Sequence, residues 1–454
     1  MVKGPPSHPI KGHLPQIARD PLGFFTECAR SYGDVVDVRL GPRHTLQLSH
    51  PHDIESVLVN NTHAFAKHPA MNANRLLLGE GLVVSEGAVW QQQRRTIQPA
   101  FHRQRIAEYA DLMLAFAQAM VDRWRDGETR DIHRDLMLLT IRLVSRALFR
   151  ADMDAEASSV ELAQREIMDA FRVKLNSLFF LLPEVIPTPA NLRMRRAVYR
   201  LEELLYSGIV KGRSAGQPDC DLLSLVLGAP DPHHGGRMSG RQIRDEVVNF
   251  FFAGYETSVN ALSWTCYLLA RHPEIQQRVH AEVVSVLGGR TRLTAEDAGR
   301  LAYTEQAVTE AIRLYPPIWM MGRRARVATT VGGYRVPAGG LLQMSQWVVH
   351  RDPRWYDKPE EYRPERWTAD FARQLPRFAY FPFGAGPRRC VGRVFAMLEA
   401  VVVVSTIVQH YHLSLAGDPV VPRASLTLHP HPDFGLRVKL TRRSPETTRE
   451  VRVA

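Results

Sequence analysis

The sequence predicts a mainly α-helical protein with small β-sheets. Apolar residues recur at helical spacing over most of the chain, whereas only three short stretches alternate apolar and polar residues as strands do, at residues 34–51, 331–340 and 425–440. With 45% hydrophobic and 23% charged residues in a length of 454, the chain has the composition of a globular protein with a large buried core.

Charge and cysteine content disfavour several classes of protein. The net charge of +11 is spread along the chain, with no basic run interleaved with aromatic residues and no zinc-finger spacing, so nucleic-acid binding is not expected. The four cysteines form no CxxC pair, which argues against a disulfide framework or a cysteine-rich zinc site and indicates a reducing cytoplasm. They are Cys28, Cys220, Cys266 and Cys390.

Hydropathy predicts no membrane anchor. Charges at Lys3, Lys11, Arg19 and Asp20 leave no apolar stretch near the N-terminus that is long enough for a signal peptide or a transmembrane helix. The uncharged run 400–417 is interrupted by Ser, Thr, Gln and His residues, so we expect a buried helix there rather than a membrane span.

Two helices have clear start signals. Ser239 and Gln242 form a capping box, after which apolar residues recur at helical spacing for ~30 residues, a length of ~45 Å. Thr294 and Asp297 form a second cap, and the helical pattern that follows it runs to Leu314 before two prolines stop it.

The middle of the longer helix contains the run Ala253, Gly254, Tyr255, Glu256 and Thr257. Glycine inside a helix costs ~1 kcal/mol relative to alanine, so a compensating role is expected. Two explanations are open at this point. The glycine allows close packing against another helix, or it leaves room for a small ligand beside an acid and an alcohol that pass protons.

The most informative stretch is FPFGAGPRRCVG, residues 381–392, which contains Cys390 and precedes an apolar helical run. Its glycines and prolines indicate an unusual and well-defined backbone path. The entrance of a helix favours an anion, and therefore a thiolate that can bind a metal. We expect Cys390 to be a metal ligand rather than an inert buried cysteine.

Two further pairs lie at helical spacing. Glu310 and Arg313 share a helix face flanked by apolar residues, which predicts a buried pair that Arg366 could complete. Trp90 and Arg94 lie four residues apart and could bind a partly desolvated anionic group, although an ordinary aromatic and basic pair has the same spacing.

In combination these motifs resemble those of the cytochrome P450 family. The loop matches the family's haem-binding loop at Phe383, Gly384, Gly386, Arg388, Cys390 and Gly392. The other motifs follow in the family's order, including HRDP at residues 350–353, and only Glu256 (often Asp) and Trp367 (often Phe) depart from it. The resemblance implies one large domain over residues 1–440, followed by a disordered tail over 441–454.

The resemblance also implies a role for each motif. Cys390 would be the axial thiolate of haem b (iron protoporphyrin IX), and its electron donation favours O–O cleavage. Four residues would contact the haem propionates: Trp90, Arg94, Arg323 and Arg388. The O₂ site and its proton relay would comprise Ala253, Gly254, Glu256 and Thr257. A buried structural triad would support the haem loop: Glu310, Arg313 and Arg366.

The implied activity is monooxygenation, in which one oxygen atom of O₂ enters a C–H bond or adds across a C=C bond of a lipophilic terpenoid, fatty acid or polyketide. Because the chain has no flavin or iron–sulfur segment, electrons from NAD(P)H would arrive through a ferredoxin or flavodoxin with its reductase. The enzyme is expected to be a cytoplasmic monomer. A basic cluster would attract the acidic partner: Arg95, Arg103, Arg105, Arg389 and Arg393.

Two alternatives remain open from the sequence. The first is a haem enzyme that is driven by peroxide or works without external electrons, although such members usually lack the acid and alcohol pair. The second is a non-catalytic haem protein used for binding or sensing.

The substrate pocket is predicted by family position along residues 71–84, 178–186, 252–253 and 318–320. Within these segments the residues expected to line it are Val83, Val84, Phe252, Ile318 and Trp319. The apolar segment 177–189, which contains three prolines, is predicted to be a mobile lid at the entrance.

Overall fold

The computed structural model of the protein describes residues 2–175, 186, 188–211, 222–230, 238–425, 427–430 and 435–443. Most of the predicted lid, Cys220 and the chain from residue 444 onward lie outside the described residues. The chain divides into two compact units. The first comprises Met1–Ala73, Ile312–Cys390 and Ala424–Leu428, and the second comprises Asn74–Ala311, Val391–Arg423 and His429–Ala454.

The described residues form sixteen α-helices, joined in places by short 3₁₀ and π turns. The α-helices are α1 Leu14–Arg19, α2 Pro21–Tyr32, α3 Pro51–Glu55, α4 Arg75–Leu78, α5 Gly87–Ile97, α6 Arg103–Val121, α7 Ile132–Phe149, α8 Ala157–Leu175, α9 Pro189–Leu205, α10 Leu222–Gly228, α11 Gly240–Arg271, α12 Pro273–Leu287, α13 Ala302–Leu314, α14 Gln346–Val349, α15 Ala369–Gln374 and α16 Arg393–His410.

The strands are few and short, so the prediction of a mainly helical fold with small sheets is confirmed. The strands are β1 Val35–Leu40, β2 Arg43–Leu48, β3 Phe65–Lys67, β4 Thr129–Asp131, β5 Met321–Ala325, β6 Thr329–Val331, β7 Tyr334–Val336, β8 Leu341–Met344, β9 Tyr411–Leu415, β10 Arg423–Ala424, β11 Leu428–His429 and β12 Arg437–Arg442.

The first unit contains a five-stranded sheet in the order β1-β2-β8-β5-β3. β1 and β2 form the predicted hairpin, with Val35 opposite Leu48 and a turn at Gly41. The φ of Gly41 is 63°, in the left-handed region that favours glycine. β2 pairs in parallel with β8, and the remaining neighbours are antiparallel.

The second unit contains a three-stranded antiparallel sheet in the order β4-β12-β9. β12 runs from Arg437 to Arg442, and its pairing with β9 extends to its last residue, opposite Tyr411. The division of the chain into a domain over residues 1–440 and a tail over 441–454 stays a prediction.

Helix α11 is the long predicted helix, and its 32 residues extend for about 48 Å. The Ser239 hydroxyl caps it by accepting the Gln242 N–H at 3.2 Å. The second predicted cap, Thr294 with Asp297, is a complete capping box. It begins a short 3₁₀ helix over 295–300, and α13 follows, so the single predicted helix is two elements.

Helix α16 is the one described helix that is long and apolar enough to cross a membrane by length and composition, with a mean hydropathy of 1.4. Of its residues, 61% are buried within the fold, where it packs against α6, α11 and α12. The predicted buried helix is therefore present, but it ends at His410. From Tyr411 the burial alternates, and the chain continues as strand β9.

Candidate active site

The loop that precedes α16 is closed by its own backbone. The Cys390 N–H donates to the Phe383 carbonyl at 2.9 Å, and a 3₁₀ turn, Gly386–Arg388, lies between these residues. Gly392 is the N-cap of α16. Cys390 is thus held in a defined loop immediately ahead of a helix, as the sequence predicts.

Glycine is required at two positions of this loop. Gly384 and Gly386 have φ values of 65° and 64°, in a region where side chains are strained. A Cβ atom at Gly386 would lie 2.0 Å from the carbonyl oxygen of Leu58, so no larger residue fits. Gly392 has a φ of −84°, which any residue adopts, so its presence is not explained by backbone conformation.

Cys390 differs from the other described cysteines in its exposure. Cys28 and Cys266 are buried, and burial raises the pKa of each thiol to about 12, which keeps both neutral. Cys390 is exposed. Within the described part of the chain, no group of three or more His, Cys, Asp and Glu side chains could hold a metal ion. A single accessible thiol suits a metal whose other ligands come from a prosthetic group.

A buried histidine holds the start of the loop. His350, from the HRDP motif, is fully buried, and its Nε2 accepts the Phe381 N–H at 3.1 Å. Burial lowers the pKa of His350 well below its ordinary value, so the ring is neutral and has a lone pair for this bond. The ring also packs against Tyr380, with centroids 5.1 Å apart. Sequence reasoning noted the motif but missed this role.

Two arginines of the predicted triad bind the segment that leads toward the loop. Arg313 is fully buried and donates to the Pro359 carbonyl at 2.7 Å, and Arg366 donates to the Asp357 carbonyl at 2.9 Å. Their guanidinium carbons lie 4.8 and 6.0 Å from the ring centroid of Tyr356. Together they fix this irregular segment through its backbone carbonyls.

Tyr356 connects this segment to the residues before the loop, because its hydroxyl donates to the Ala379 carbonyl at 3.0 Å. Glu310, the third member of the predicted triad, is also fully buried. The burial of Glu310, Arg313 and Arg366 agrees with a structural role, and their action as a triad stays a prediction.

The middle of α11 is the one accessible part of a buried stretch. Between residues 245 and 269 every position is buried except Ala253, Gly254 and Thr257, which lie on one side of the helix. Ala253 is the exposed member, whereas a Cβ atom at Gly254 would lie 3.3 Å from both methyl groups of Val144 on α7. The glycine therefore permits close helix packing, and Ala253 with Thr257 forms the accessible strip.

Glu256 and Thr257 are adjacent in sequence but differ in their surroundings. The Thr257 hydroxyl donates to the Ala253 carbonyl at 2.8 Å, which keeps it on the accessible strip. The Glu256 carboxylate is buried, accepts a hydrogen bond from Gln164 on α8 and lies 3.8 Å from Nδ1 of His429. Burial lowers the pKa of His429 to about 4, so Glu256 faces a neutral imidazole at pH 7.

A further buried carboxyl lies on α16. Glu399 is fully buried and accepts the hydroxyl hydrogen of Ser258, on α11, at 2.7 Å. Burial raises the pKa of Glu399 to about 8, so its carboxyl is mainly protonated at neutral pH. Sequence reasoning missed this residue, although a lone acid within the apolar run of α16 was a signal for it.

The four residues predicted to contact haem propionates are all half-buried: Trp90 and Arg94 on α5, Arg323 on β5 and Arg388 in the 3₁₀ turn. Half-burial suits a guanidinium or indole that binds an anion while it remains partly desolvated. Their contacts with haem stay predictions.

Of the predicted pocket residues, two are buried and two are half-buried apolar side chains: Val84 and Phe252, and Val83 and Ile318. Trp319 has other interactions as well. Its indole Nε1 donates to the Ser425 carbonyl at 2.9 Å, and its ring lies 6.1 Å from that of Phe25 in the core of the first unit. Pocket lining by these residues remains a prediction.

Known proteins were compared with the chain. The Cytochrome P450 family model matches residues 2–435. Cyclooctatin synthase from Streptomyces melanosporofaciens is 36% identical over 424 residues, 92% of each chain. Cyclooctat-9-en-7-ol 5-monooxygenase from the same organism is 37% identical over 410 residues, 90% of this chain and 88% of that relative. Pentalenene oxygenase from Streptomyces avermitilis is 34% identical over 447 residues, 97% of each chain.

A crystal structure of the cytochrome P450DA heme domain matches the fold with a TM-score of 0.86, at 30% identity, over 98% of both chains. A mainly helical fold with an accessible cysteine in a glycine-shaped loop agrees with the class of haem-thiolate proteins. The chain belongs to the cytochrome P450 family. It is a monooxygenase, and the predicted single large P450 domain is confirmed because the family model spans both units.

The residues present fit a haem group. Cys390 supplies an exposed sulfur in a loop whose path requires two positive-φ glycines. An accessible thiolate held in a fixed loop is what ligation of haem iron by cysteine requires.

Proposed function

We propose that this monooxygenase hydroxylates or epoxidises a terpenoid in the cytoplasm, as a monomer. Electrons come from NAD(P)H through a ferredoxin or flavodoxin and its reductase. Haem bound through Cys390 supplies the activation of O₂, and the rest of the reaction depends on how this chain's side chains position the substrate and deliver protons.

The observation that carries the proposal is the accessible strip of α11 and its apolar neighbourhood. A Cβ atom at Gly254 would lie 3.3 Å from the methyl groups of Val144 and 4.0 Å from Leu148, and the hydrophobic cluster that contains these two residues also contains Phe252 and Val84. Such surroundings favour a hydrocarbon-like substrate over a charged one. The similarity to proteins named pentalenene oxygenase and cyclooctat-9-en-7-ol 5-monooxygenase supports a terpenoid in particular.

Proton delivery is assigned to Thr257 and Glu256. The Thr257 hydroxyl lies on the accessible strip, where its oxygen can hold a water by accepting a hydrogen bond while its hydrogen is donated to the Ala253 carbonyl. Glu256 faces α8 and His429, so it supplies protons from the other side of the helix rather than at the strip itself. This division of roles requires that a water connect the two groups.

Electron delivery is assigned to an acidic partner that binds basic residues near the haem loop. Arg95, Arg389 and Arg393 are exposed, and Arg105 is half-buried in an ion pair with Glu108. The side chain of Arg103 lies outside the described part. Association steered by such charges weakens as salt rises.

Turnover of a substrate panel tests the proposal. Purified holoenzyme is supplied with NADPH, a ferredoxin and its reductase under isotopically labelled O₂, with cyclic terpenes, fatty acids and polyketide lactones as separate substrates. We expect a terpene product that carries one labelled oxygen. Turnover of fatty acids or lactones alone would refute the terpenoid assignment. Product formed only with hydrogen peroxide would identify a peroxide-driven enzyme, and absence of product from every cyclic terpene would also refute the terpenoid assignment.

A further inference from the structure

Side chains on one face of α11 bind the backbone of the loop between α4 and α5. Three acceptors on α11 receive its backbone N–H groups: Asp245 Oδ2 from Glu80 at 2.9 Å, Glu246 Oε2 from Leu82 at 3.3 Å and Asn249 Oδ1 from Val83 at 3.0 Å. The acceptors are 3%, 1% and 1% exposed, so these bonds are shielded from water.

The Asn249 side chain both accepts and donates hydrogen bonds. Its amide oxygen accepts the Val83 N–H, and its Nδ2 donates to the Leu78 carbonyl at 2.5 Å and to the Asp245 carbonyl at 2.7 Å. One side chain therefore ties the first and the sixth residue of the loop segment 78–83 to the same turn of helix. Substitution by a residue without both a donor and an acceptor breaks one of these links.

Two glycines let the loop approach the helix this closely. A Cβ atom at Gly81 would lie 2.2 Å from Nδ2 of Asn249, and one at Gly79, where φ is 53°, would lie 2.1 Å from the carboxyl carbon of Asp245. The segment LGEGL, residues 78–82, thus fits closely against Asp245 and Asn249 of α11. Sequence reasoning did not find this relation, because the two segments are distant in the chain.

The loop is also fixed from α5. Gln93 is fully buried, its Nε2 donates to the Glu80 carbonyl at 2.9 Å, and its Oε1 accepts the Ser85 hydroxyl hydrogen. The segment 78–85 is therefore held on both sides by buried polar side chains. Its apolar residues Leu82 and Val84 then enter the hydrophobic cluster that also contains Phe252.

We propose that Asn249 is a positioning residue for substrate specificity: through its paired hydrogen bonds it sets where Val83 and Val84 stand relative to the accessible strip of α11. The inference rests on the proposed function in that it takes the strip to be where substrate binds. Asn249 lies four residues, about 6 Å along the helix, before Ala253. A shift of the loop at Asn249 therefore moves Val83 and Val84 relative to the strip and changes the width of the pocket. Neither the haem ligand nor Thr257 is altered.

The test uses ligands that need no turnover. Dissociation constants of 1-, 2- and 4-phenylimidazole, which bind haem iron through nitrogen, are measured by optical titration of ferric holoenzyme. Asn249→Ala removes both links, and Asn249→Asp keeps the acceptor but places an oxygen against the Leu78 carbonyl. We expect the ratios among the three dissociation constants to change about tenfold or more in Asn249→Ala, since about tenfold is the effect of a single lost buried hydrogen bond, and by a similar factor in Asn249→Asp, where two oxygens oppose each other.

The matched control is Thr265→Ala. Thr265 is fully buried on the same helix, and its hydroxyl donates to the Ala261 carbonyl at 2.7 Å, away from the loop. This control should lower the melting temperature while leaving the ligand ratios unchanged. The proposal is overturned if the Asn249 variants lower the melting temperature but keep wild-type ratios. If Asn249→Ala does not retain haem, Asn249→Asp decides the matter.

The proposed function and the proposed role of Asn249 can be refuted independently of each other. If wild-type enzyme oxidises no terpene, the proposed function is wrong, but the ligand ratios still report on the loop. If terpenes are oxidised and both Asn249 variants give wild-type product ratios and wild-type ligand ratios, only the role of Asn249 is wrong.

Discussion

The cysteine loop and the middle of α11 are the two regions predicted to take part in the chemistry, and they are built differently. The loop depends on backbone conformation, because Gly384 and Gly386 have positive φ and the Cys390 N–H donates a hydrogen bond to the Phe383 carbonyl. The middle of α11 depends on side-chain direction, because its backbone is an ordinary helix in which Glu256 and Thr257 face different neighbours. Substitution of either glycine should therefore disrupt the whole loop. Each substitution in the helix should remove only the function of that one side chain.

The largest effect is expected for Gly386→Ala. The added Cβ meets the Leu58 carbonyl oxygen at 2.0 Å in a backbone conformation that costs a side chain ~1–2 kcal/mol even in open space. We expect the purified variant to contain little haem, measured as the ratio of Soret to protein absorbance. Gly288→Ala is the matched control, since Gly288 has a φ of 58° with nothing within 4 Å of its Cβ position. Equal haem content in the two variants would contradict this account of the loop.

The next largest effect is expected for Thr257→Ala. The substitution removes the hydroxyl from the accessible strip but leaves Cys390 and its loop unchanged. Product formed per NAD(P)H should fall by ~10²-fold, the contribution of a proton-transfer group, and the electrons that no longer reach product should be recovered as hydrogen peroxide. Thr257→Ser keeps a hydroxyl and should restore most of the coupling. Unchanged coupling in Thr257→Ala would remove the hydroxyl from the mechanism.

A smaller effect is expected for Glu256→Gln, because the buried carboxylate acts from the far side of the helix. Loss of its charge should slow product formation and raise the solvent deuterium isotope effect while substrate affinity stays near wild type. Glu256→Asp, which restores a carboxylate, should recover part of the rate. A wild-type rate in Glu256→Gln together with a reduced rate in Glu256→Asp would show that the size of the side chain rather than its acidity matters at this position.

The last prediction concerns stability rather than activity, at Glu399, and should leave activity the least affected. The folded state raises the pKa of this carboxyl from 4.5 to about 8, so between those values the folded protein holds a proton that the unfolded chain has lost. Stability from this group therefore falls as pH rises through that interval, by up to about 1.4 kcal/mol per pH unit. Glu399→Gln should remove this slope.

The measurement for Glu399 is the urea midpoint at pH 5, 6, 7 and 8. The wild type should lose stability relative to Glu399→Gln as pH rises, whereas Glu108→Gln, at a side chain that is 59% exposed, should follow the wild type. A constant difference between wild type and Glu399→Gln would show that Glu399 does not titrate in this range.

The contrast between the two regions also explains what the sequence could predict. The cysteine loop was predictable because glycine and proline encode backbone shape locally, and the cap at Ser239 was predictable for the same reason. The directions of Glu256 and Asn249 were not, because they depend on α8 and on the loop 78–83, which are far away in sequence. The burial of Glu399 was predictable from the sequence, because Glu399 is the one acidic residue in the apolar helix α16.

The central claim is that Cys390 ligates haem iron as a thiolate, and the spectrum of reduced holoenzyme with carbon monoxide tests it most directly. Among the described cysteines Cys390 alone is exposed, so it is the available sulfur in that part of the chain. The account predicts a strongly red-shifted Soret band that is absent from Cys390→His. A wild-type Soret band at the position of a histidine-ligated globin would contradict the account.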